Sequence, residues 1–177
     1  KDLNGDGVID DNDKYAVGHG LAPRLTYGFS LGAEWNGFDF SCLFQGNAGL
    51  QVYWQDKFYM GYINYGDVIN KEIAEGAWRE GRTNATYPRL LTGLNTLNAQ
   101  PSDFWVQNKS YLRLKNVQIG YKIPKKLLQK LDISQLRLYT SLENMLTFTS
   151  YKGIDPEISG TTYPTMKQIT VGVNVVF

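Results

Sequence analysis

Apolar and polar side chains alternate at every second position along several stretches of this chain. A period of two is typical of a β-strand whose two faces meet different surroundings. Two of the stretches, 27–35 and 38–45, flank Asn36-Gly37, which favours a tight hairpin turn because both residues tolerate positive φ. One face of this pair is largely aromatic, and the other is small or polar. The pattern therefore predicts an antiparallel β-hairpin.

Three further stretches, 110–123, 135–148 and 168–177, carry the same period. In the first of these the apolar positions change parity at Lys115-Asn116, which predicts a β-bulge with one extra residue. Each stretch is about as long as a tilted membrane strand. The apolar positions of the last stretch are predicted to lie together on its outward face; they are Ile169, Val171, Val173, Val175 and Phe177.

The connections between these stretches differ in length. Asn36-Gly37 and 124–134 are short, whereas 46–109 and 149–166 are long. Outer-membrane barrels show this asymmetry, with tight turns on the periplasmic side and long loops outside the cell. A loop as long as 46–109 would be unusual inside a compact soluble domain.

The composition agrees with β-structure and excludes several other classes. The 177 residues include 12 Tyr, 8 Phe and 4 Trp, which fit pleated surfaces. The net charge of +1 argues against a strongly basic nucleic-acid binder. One Cys and one His leave no room for a disulfide framework or a multi-His metal site, and Cys42, between Phe40 and Phe44, is predicted to be an inert apolar residue. No apolar run approaches the about 20 residues of a transmembrane helix.

Two architectures fit the alternation. The first is a soluble β-sandwich, a calcium-dependent binding module whose apolar faces turn to a dry core. The second is part of a transmembrane β-barrel, because the polar faces are rich in Gly, Ser, Thr, Asn and Gln and would suit a wet lumen. Aromatic residues near the predicted strand ends would form the interfacial girdles of such a barrel; they are Tyr27, Trp35, Phe38, Tyr121 and Phe148. About five strands cannot close a membrane barrel, so the chain would be one portion of a larger assembly.

The acidic run at 2–13 matches the spacing of a calcium-binding loop. Gly7 permits the sharp turn at the sixth position, and the twelfth position is Asp13 instead of the usual Glu, which predicts weaker affinity. The predicted ligands are Asp2, Asn4, Asp6, Val8 through its carbonyl, Asp10 and Asp13. No helix pattern precedes the loop, so calcium would make it rigid instead of signalling. The alternative is a turn-rich acidic loop that binds no ion.

The long loop, 46–109, is predicted to contain a helix over 67–78, with Asp67 as N-cap and Ile69 and Ile73 four residues apart. It is also unusually aromatic. The candidates for contact with a substrate or a partner protein are Trp54, Tyr59, Tyr62, Trp78 and Trp105. The same aromatic residues could equally form a small core of the loop's own.

Signatures of enzyme chemistry are missing from the sequence. Neither the GxxxxGK[ST] nor the GxGxxG phosphate-binding pattern occurs. Asp155 and Glu157 could be considered as a glycosidase pair, but Asp-Pro-Glu in a loop is more often turn chemistry. We therefore do not expect an enzyme.

Several motifs also follow one another in a specific order. They are 2–13 followed by Gly18, Pro23 and Tyr27-Gly28; AWR at 77–79 with YPRL at 87–90; SYLRLKNV at 110–117; LENMLTFT at 142–149 with YKGIDPE at 151–157; and the ending at Phe177. In this order the chain resembles the SusC/RagA-type TonB-dependent outer-membrane transporters.

The resemblance implies that 1–177 is the C-terminal part of a plugged barrel of about 22 strands in the cell outer membrane. Its extracellular parts would be the calcium-type loop 1–20, 46–109 and 149–166. Such transporters import glycans, or peptides in some members. They work with a SusD-like surface lipoprotein as a lid and are energised by the TonB complex through a plug that this chain lacks. Lys1 is expected to lie within a longer protein, and Phe177 to be its true C-terminus.

Overall fold

The computed structural model describes residues 2–18, 20, 22–53, 62–63, 69, 71–92, 101–129, 132–158 and 162–177, with only the backbone described at 62–63 and 91–92. Its strands are β1 Leu25–Trp35, β2 Phe38–Ala48, β3 Gln51–Tyr53, β4 Tyr62–Ile63, β5 Leu91–Thr92, β6 Val106–Asn108, β7 Tyr111–Lys122, β8 Gln135–Thr149 and β9 Gln168–Val176. Its helices are α1 Lys71–Gly76 and α2 Lys125–Leu128, with 3-10 turns at Asp11–Asp13 and Asp103–Trp105.

The chain divides into two compact units. The first comprises Lys1–Gly18 and Val52–Gln107, and the second comprises His19–Gln51 and Asn108–Phe177. The second unit is built on a five-stranded antiparallel sheet in the order β1-β2-β7-β8-β9. These are the five long strands that the alternation predicts, and the all-β fold class is confirmed.

The predicted hairpin joins β1 to β2. Asn36 and Gly37 have φ values of 48° and 86°, the two consecutive left-handed residues of a tight hairpin turn. The register runs from Trp35 opposite Phe38 at the turn to Leu25 opposite Ala48 at the far end. The turn residues therefore fix which side chains share a face.

The predicted bulge lies where the parity changes. The β2–β7 register shifts between Leu43 and Phe44, and the β7–β8 register shifts between Leu114 and Asn116. Leu114 and Val117 consequently lie on the same face although they are three positions apart. Asn144, on the facing stretch of β8, has φ of 54° at the same irregularity.

The short connection between β7 and β8 is partly helical. It contains the one-turn helix α2, which begins after Pro124 and buries Leu128. The helix predicted in the long loop is present but shorter, at Lys71–Gly76. Its predicted N-cap, Asp67, lies outside the described residues. No helix among the described residues is long and apolar enough to cross a membrane.

The first unit contains buried apolar side chains of its own. They are Ile73 of α1, Ala77, Tyr87 and Trp105. A parallel bridge joins Ala77 to Tyr87, and the Tyr87 hydroxyl donates to Glu72 at 2.9 Å. β4 and β5 pair in parallel.

Candidate functional site

The five-stranded sheet has one almost wholly apolar face, which we call the apolar face. Its members, followed across the sheet by register, are Phe29, Leu31, Ala33, Trp35, Phe38, Phe40, Cys42, Phe44, Leu112, Leu114, Val117, Ile119, Tyr121, Leu136, Leu138, Thr140, Leu142, Leu146, Phe148, Ile169, Val171, Val173 and Val175. Phe29, Phe40 and Val173 are 46%, 40% and 59% exposed. The β-sandwich alternative, which needs a dry core here, therefore does not fit.

Aromatic residues border the apolar face at both ends. Trp35, Phe38 and Tyr121 form one row beside the hairpin turn, where the Phe38 and Tyr121 rings lie 4.6 Å apart. Tyr27 and Phe148 lie in a second row, eight positions along β1 from the first. Eight steps span about 27 Å along a strand, or roughly 20 Å of height at a tilt of about 40°. This is close to the apolar band of about 25 Å in outer-membrane barrels.

The opposite, polar face carries charged side chains in mutual contact. Arg137 of β8 donates from Nε to Asp39 of β2 at 2.8 Å and from Nη2 to Gln118 of β7 at 3.1 Å. This ion pair passes over Gly120 of β7, where a Cβ atom would lie 2.6 Å from both partners. Glycine at this position thus lets the pair bridge three strands. Asn116 and Ser141 are hydrogen-bonded farther along the same face.

A cluster of buried charges joins the polar face of β7 to the segment that follows β8. Arg113 lies within hydrogen-bonding distance of Asp155 at 2.7 Å and is also paired with Glu157. Lys115 pairs with Glu157 as well, at 2.5 Å. Asp155 and Glu157 therefore act as ion-pair partners of β7, which agrees with a structural role for the Asp-Pro-Glu motif and gives no support to a glycosidase pair.

The electrostatics of this cluster favour the ionised form of Asp155. Burial alone would raise the pKa of its carboxyl group, but hydrogen bonds from Arg113 and from the backbone N–H groups of Glu157 and Thr165 lower the pKa to about 2. The nearby Lys109 is buried, and this desolvation lowers the pKa of its ammonium group against the opposing charge of Asp155.

The acidic loop folds around its own backbone amides. Asp2 accepts from Gly5 at 2.6 Å and from Gly7 at 2.8 Å, while Asp13 accepts from Leu3 at 2.6 Å and from Asp10 at 2.8 Å. These hydrogen bonds lower the pKa of both carboxyl groups. Asn4 and Asp6 accept from the backbone N–H groups two residues later, and Gly5 and Gly7 have positive φ.

The predicted calcium ligands are hard oxygen donors, as calcium prefers. Among the described residues, no three or more Asp, Glu, His or Cys side chains lie together in a way that could hold a metal ion. Val8 and Asp10, the remaining predicted ligands, are exposed, as are Asp2, Asn4 and Asp6.

The aromatic candidates of the long loop have different surroundings. Trp105 is 3% exposed and is one of the buried apolar side chains of the first unit, whereas Trp78 is 44% exposed and has the Arg89 guanidinium 5.7 Å from its ring centroid. The Trp78 ring is therefore accessible to a ligand or partner, and the Trp105 ring is buried. Trp54, Tyr59 and the side chain of Tyr62 lie outside the described residues.

The sequence does not reveal that Arg113 and Lys109 bind the segment that follows β8. The signal available for Arg113 was a charged residue between two leucines on a strand, which marks a polar-face position but names no partner. Its partners lie 42 and 44 residues away.

Comparison with known proteins shows which family this chain resembles. No protein-family model matches the chain. It is 31% identical to TonB-dependent receptor P3 of Formosa agariphila over 99% of this chain and 18% of that protein. It is 27% identical to TonB-dependent receptor SusC of Bacteroides thetaiotaomicron over 99% of this chain and 17% of that protein.

A solved structure gives the same result. The RagAB peptide importer in its open-open state matches with a TM-score of 0.70 and 31% identity, covering 89% of this chain and 17% of the matched chain. The present chain thus spans less than a fifth of the length of these proteins. The resemblance that the ordered motifs indicate is confirmed. By sequence and by fold, the chain is a homologue of part of a SusC/RagA-type TonB-dependent receptor.

Proposed function

We propose that this chain forms five neighbouring strands of an outer-membrane barrel that imports nutrients. The observation that carries the proposal is the difference between the two faces of its sheet. Arg137 and Asp39 pair on the polar face, while Phe40 and Val173 on the apolar face are exposed. A wall between hydrocarbon and a water-filled lumen needs this arrangement.

The two aromatic rows support an orientation. In the proposed arrangement, Trp35, Phe38 and Tyr121 lie at the periplasmic interface beside the tight hairpin turn. The long connections then lie outside the cell, namely 1–20, 46–109 and 149–166. Long loops on the outer side and short turns on the inner side are the rule in bacterial barrels.

The proposed cargo is an oligosaccharide or a peptide. The RagAB neighbour is described as a peptide importer, and the resemblance to SusC/RagA-type transporters implies glycans as the alternative cargo. Trp78, with its accessible ring beside Arg89, is the described candidate for contact with cargo. The proposed partners are a SusD-like surface lipoprotein at the outer loops and the TonB complex, which would act through a plug outside this chain.

An uptake experiment tests this function. Cells with and without the complete receptor would be given labelled oligosaccharides and labelled oligopeptides of similar size. Removing the receptor should reduce uptake of one cargo class to background, and depleting TonB should do the same while the receptor stays in the membrane. Unchanged uptake of both classes in the deletion strain would contradict the proposal.

We also propose that the acidic loop binds calcium as a structural ion. Its support is the donor set: six oxygen-bearing positions at the calcium-loop spacing, with Gly5 and Gly7 already in the turn conformation. Calorimetric titration of the complete receptor with calcium tests this. Asp6→Asn should weaken binding at least tenfold, and Asp11→Asn should leave it unchanged because Asp11 pairs only with Lys14 among the described contacts. Equal affinity in both variants, or no binding in the parent, would refute it.

A further inference from the structure

One buried arginine, Arg113, links the segment 151–158, which follows β8, to the sheet. All three guanidinium nitrogens of Arg113 are engaged: Nε donates to the Thr147 hydroxyl at 2.8 Å, Nη2 to Asp155 at 2.7 Å, and Nη1 to Glu157. The Arg113 and Asp155 side chains are 5% and 4% exposed. A guanidinium group offers its donors in a fixed plane, so the bond to Thr147 of β8 orients the group and the two bonds to Asp155 and Glu157 define the position of the attached segment.

Glu157 receives further bonds from the same strand. Lys115 contacts its Oε1 at 2.5 Å, and the Tyr111 hydroxyl donates to that oxygen at 3.0 Å. Two cations of β7, Arg113 and Lys115, thus contact two anions, Asp155 and Glu157. Removing one partner of a buried ion pair leaves an uncompensated charge and is strongly destabilising.

The backbone of the segment is also fixed. Asp155 accepts from the N–H of Glu157 at 2.9 Å and from the N–H of Thr165 at 3.0 Å, so it ties the two sides of the loop together. Lys109 donates to the carbonyl oxygen of Ile158, and its ammonium lies 5.5 Å from the Tyr151 ring centroid. Contacts therefore hold the segment along its length and not at one point.

From these contacts we infer that 151–158 is a fixed strap on the polar face of β7, with Arg113 as its positioning residue, and that the strap stays in place during transport. In the proposed importer the polar face is the lumen, and this inference rests on that function. The strap would then be a permanent part of the wall at the outer end of β7, so cargo must pass beside it and any opening must involve other loops.

The experiment follows the mobility of a spin label on the strap in the complete receptor. Ile154 is suited to the label because it is 66% exposed and makes none of the bonds described above. The label is attached through Ile154→Cys in a Cys42→Ser background. Spectra are recorded with and without cargo in membranes with an active TonB system. The strap should give an immobile spectrum in both states.

Arg113→Leu should increase the mobile fraction of the label several-fold. Asp155→Asn combined with Glu157→Gln should have the same effect, and it provides a second test if the first variant fails to fold. The matched control is Arg137→Leu, which breaks another ion pair on the polar face without touching the strap. That control should leave the label immobile.

The inference is overturned if the label is mobile in the parent receptor, if cargo and energy release it, or if neither strap variant changes its spectrum. Uptake measured in the same cells separates this outcome from failure of the proposed function. A receptor that imports cargo with a mobile strap refutes the strap and leaves the importer intact. A parent receptor that imports neither cargo class contradicts the proposed function, whereas the mobility of the label decides the strap.

Discussion

A positive charge at Val173 should disfavour insertion of the sheet into a bilayer. Val173 lies in the middle of β9, is 59% exposed, and faces Leu138 across the strand pair. Its neighbours on the same face, Val171 and Val175, are apolar as well. A lysine in this position would be solvated by hydrocarbon, at a cost of roughly 2–4 kcal/mol near the midplane. That corresponds to a loss of roughly 30-fold to nearly 1,000-fold in the equilibrium for insertion.

Thr170 supplies the matched control, since it lies on the polar face of the same strand opposite Ser141. Thr170→Lys should cost at most about 1 kcal/mol because its ammonium group remains in water. The assay is the ratio of folded to unfolded receptor in lipid vesicles across a urea series, read from the heat-dependent shift of the band on a gel. Gln168→Lys, also on the polar face but at the end of the strand, extends the comparison. Equal losses for Val173→Lys and Thr170→Lys would refute the assignment of the two faces.

Three other predictions concern packing, pH and the long loop. Gly46→Ala should destabilise the folded receptor by about 1–3 kcal/mol in urea unfolding, because the new Cβ would lie 2.3 Å from the Tyr111 carbonyl oxygen. The control Gly32→Ala should be tolerated, because its Cβ would lie 3.6 Å from the nearest atom, the Phe40 carbonyl oxygen. The pKa of Asp155 is about 2 in the folded protein, and its ordinary value is 3.8. Asp155 therefore contributes roughly 2 kcal/mol to folding stability above about pH 4, and this contribution is lost as the pH falls through about 2. The Ile154 spin label should stay immobile at pH 4, and release of the label at that pH would contradict the ion-pair account. Trp105→Ala should reduce the free energy of unfolding of the first unit by about 3–5 kcal/mol and lower its thermal midpoint, while Trp78→Ala should leave the midpoint unchanged. Equal shifts of the midpoint would contradict the difference in burial between the two rings.

The sheet could be predicted from the sequence because local rules govern it. Asn36-Gly37 determines the turn, the period of two assigns each side chain to a face, and the change of parity at Lys115-Asn116 marks the bulge. Each of these signals lies within a few residues of its effect. The strand bounds consequently differed from the structure by only a few residues.

The strap and the burial of Trp105 depend on contacts that no local pattern encodes. Arg113 is recognisable as a polar-face residue, but its pairing with Asp155 arises only when β7 and β8 are side by side. Trp105 and Trp78 both lie in the long connection 46–109, and the sequence does not distinguish their surroundings. Tertiary packing buries Trp105 and leaves Trp78 exposed. The acidic loop illustrates a further limit, because spacing identifies its donors and does not tell whether an ion gathers them.

The most direct test of the account measures which residues of β9 touch lipid. Single spin labels at 169, 170, 171, 173, 174 and 175 in the complete, membrane-embedded receptor would be exposed to oxygen, which partitions into hydrocarbon, and to a water-soluble nickel complex. Gly172 is left unlabelled because a Cβ there would lie 2.4 Å from the Tyr139 ring. We expect the two faces to differ: oxygen relaxes the labels at Ile169, Val171, Val173 and Val175, and nickel relaxes those at Thr170 and Asn174. Equal access of nickel to both sets, or protection of both sets from oxygen and nickel alike, would contradict the claim that this sheet separates hydrocarbon from a water-filled lumen.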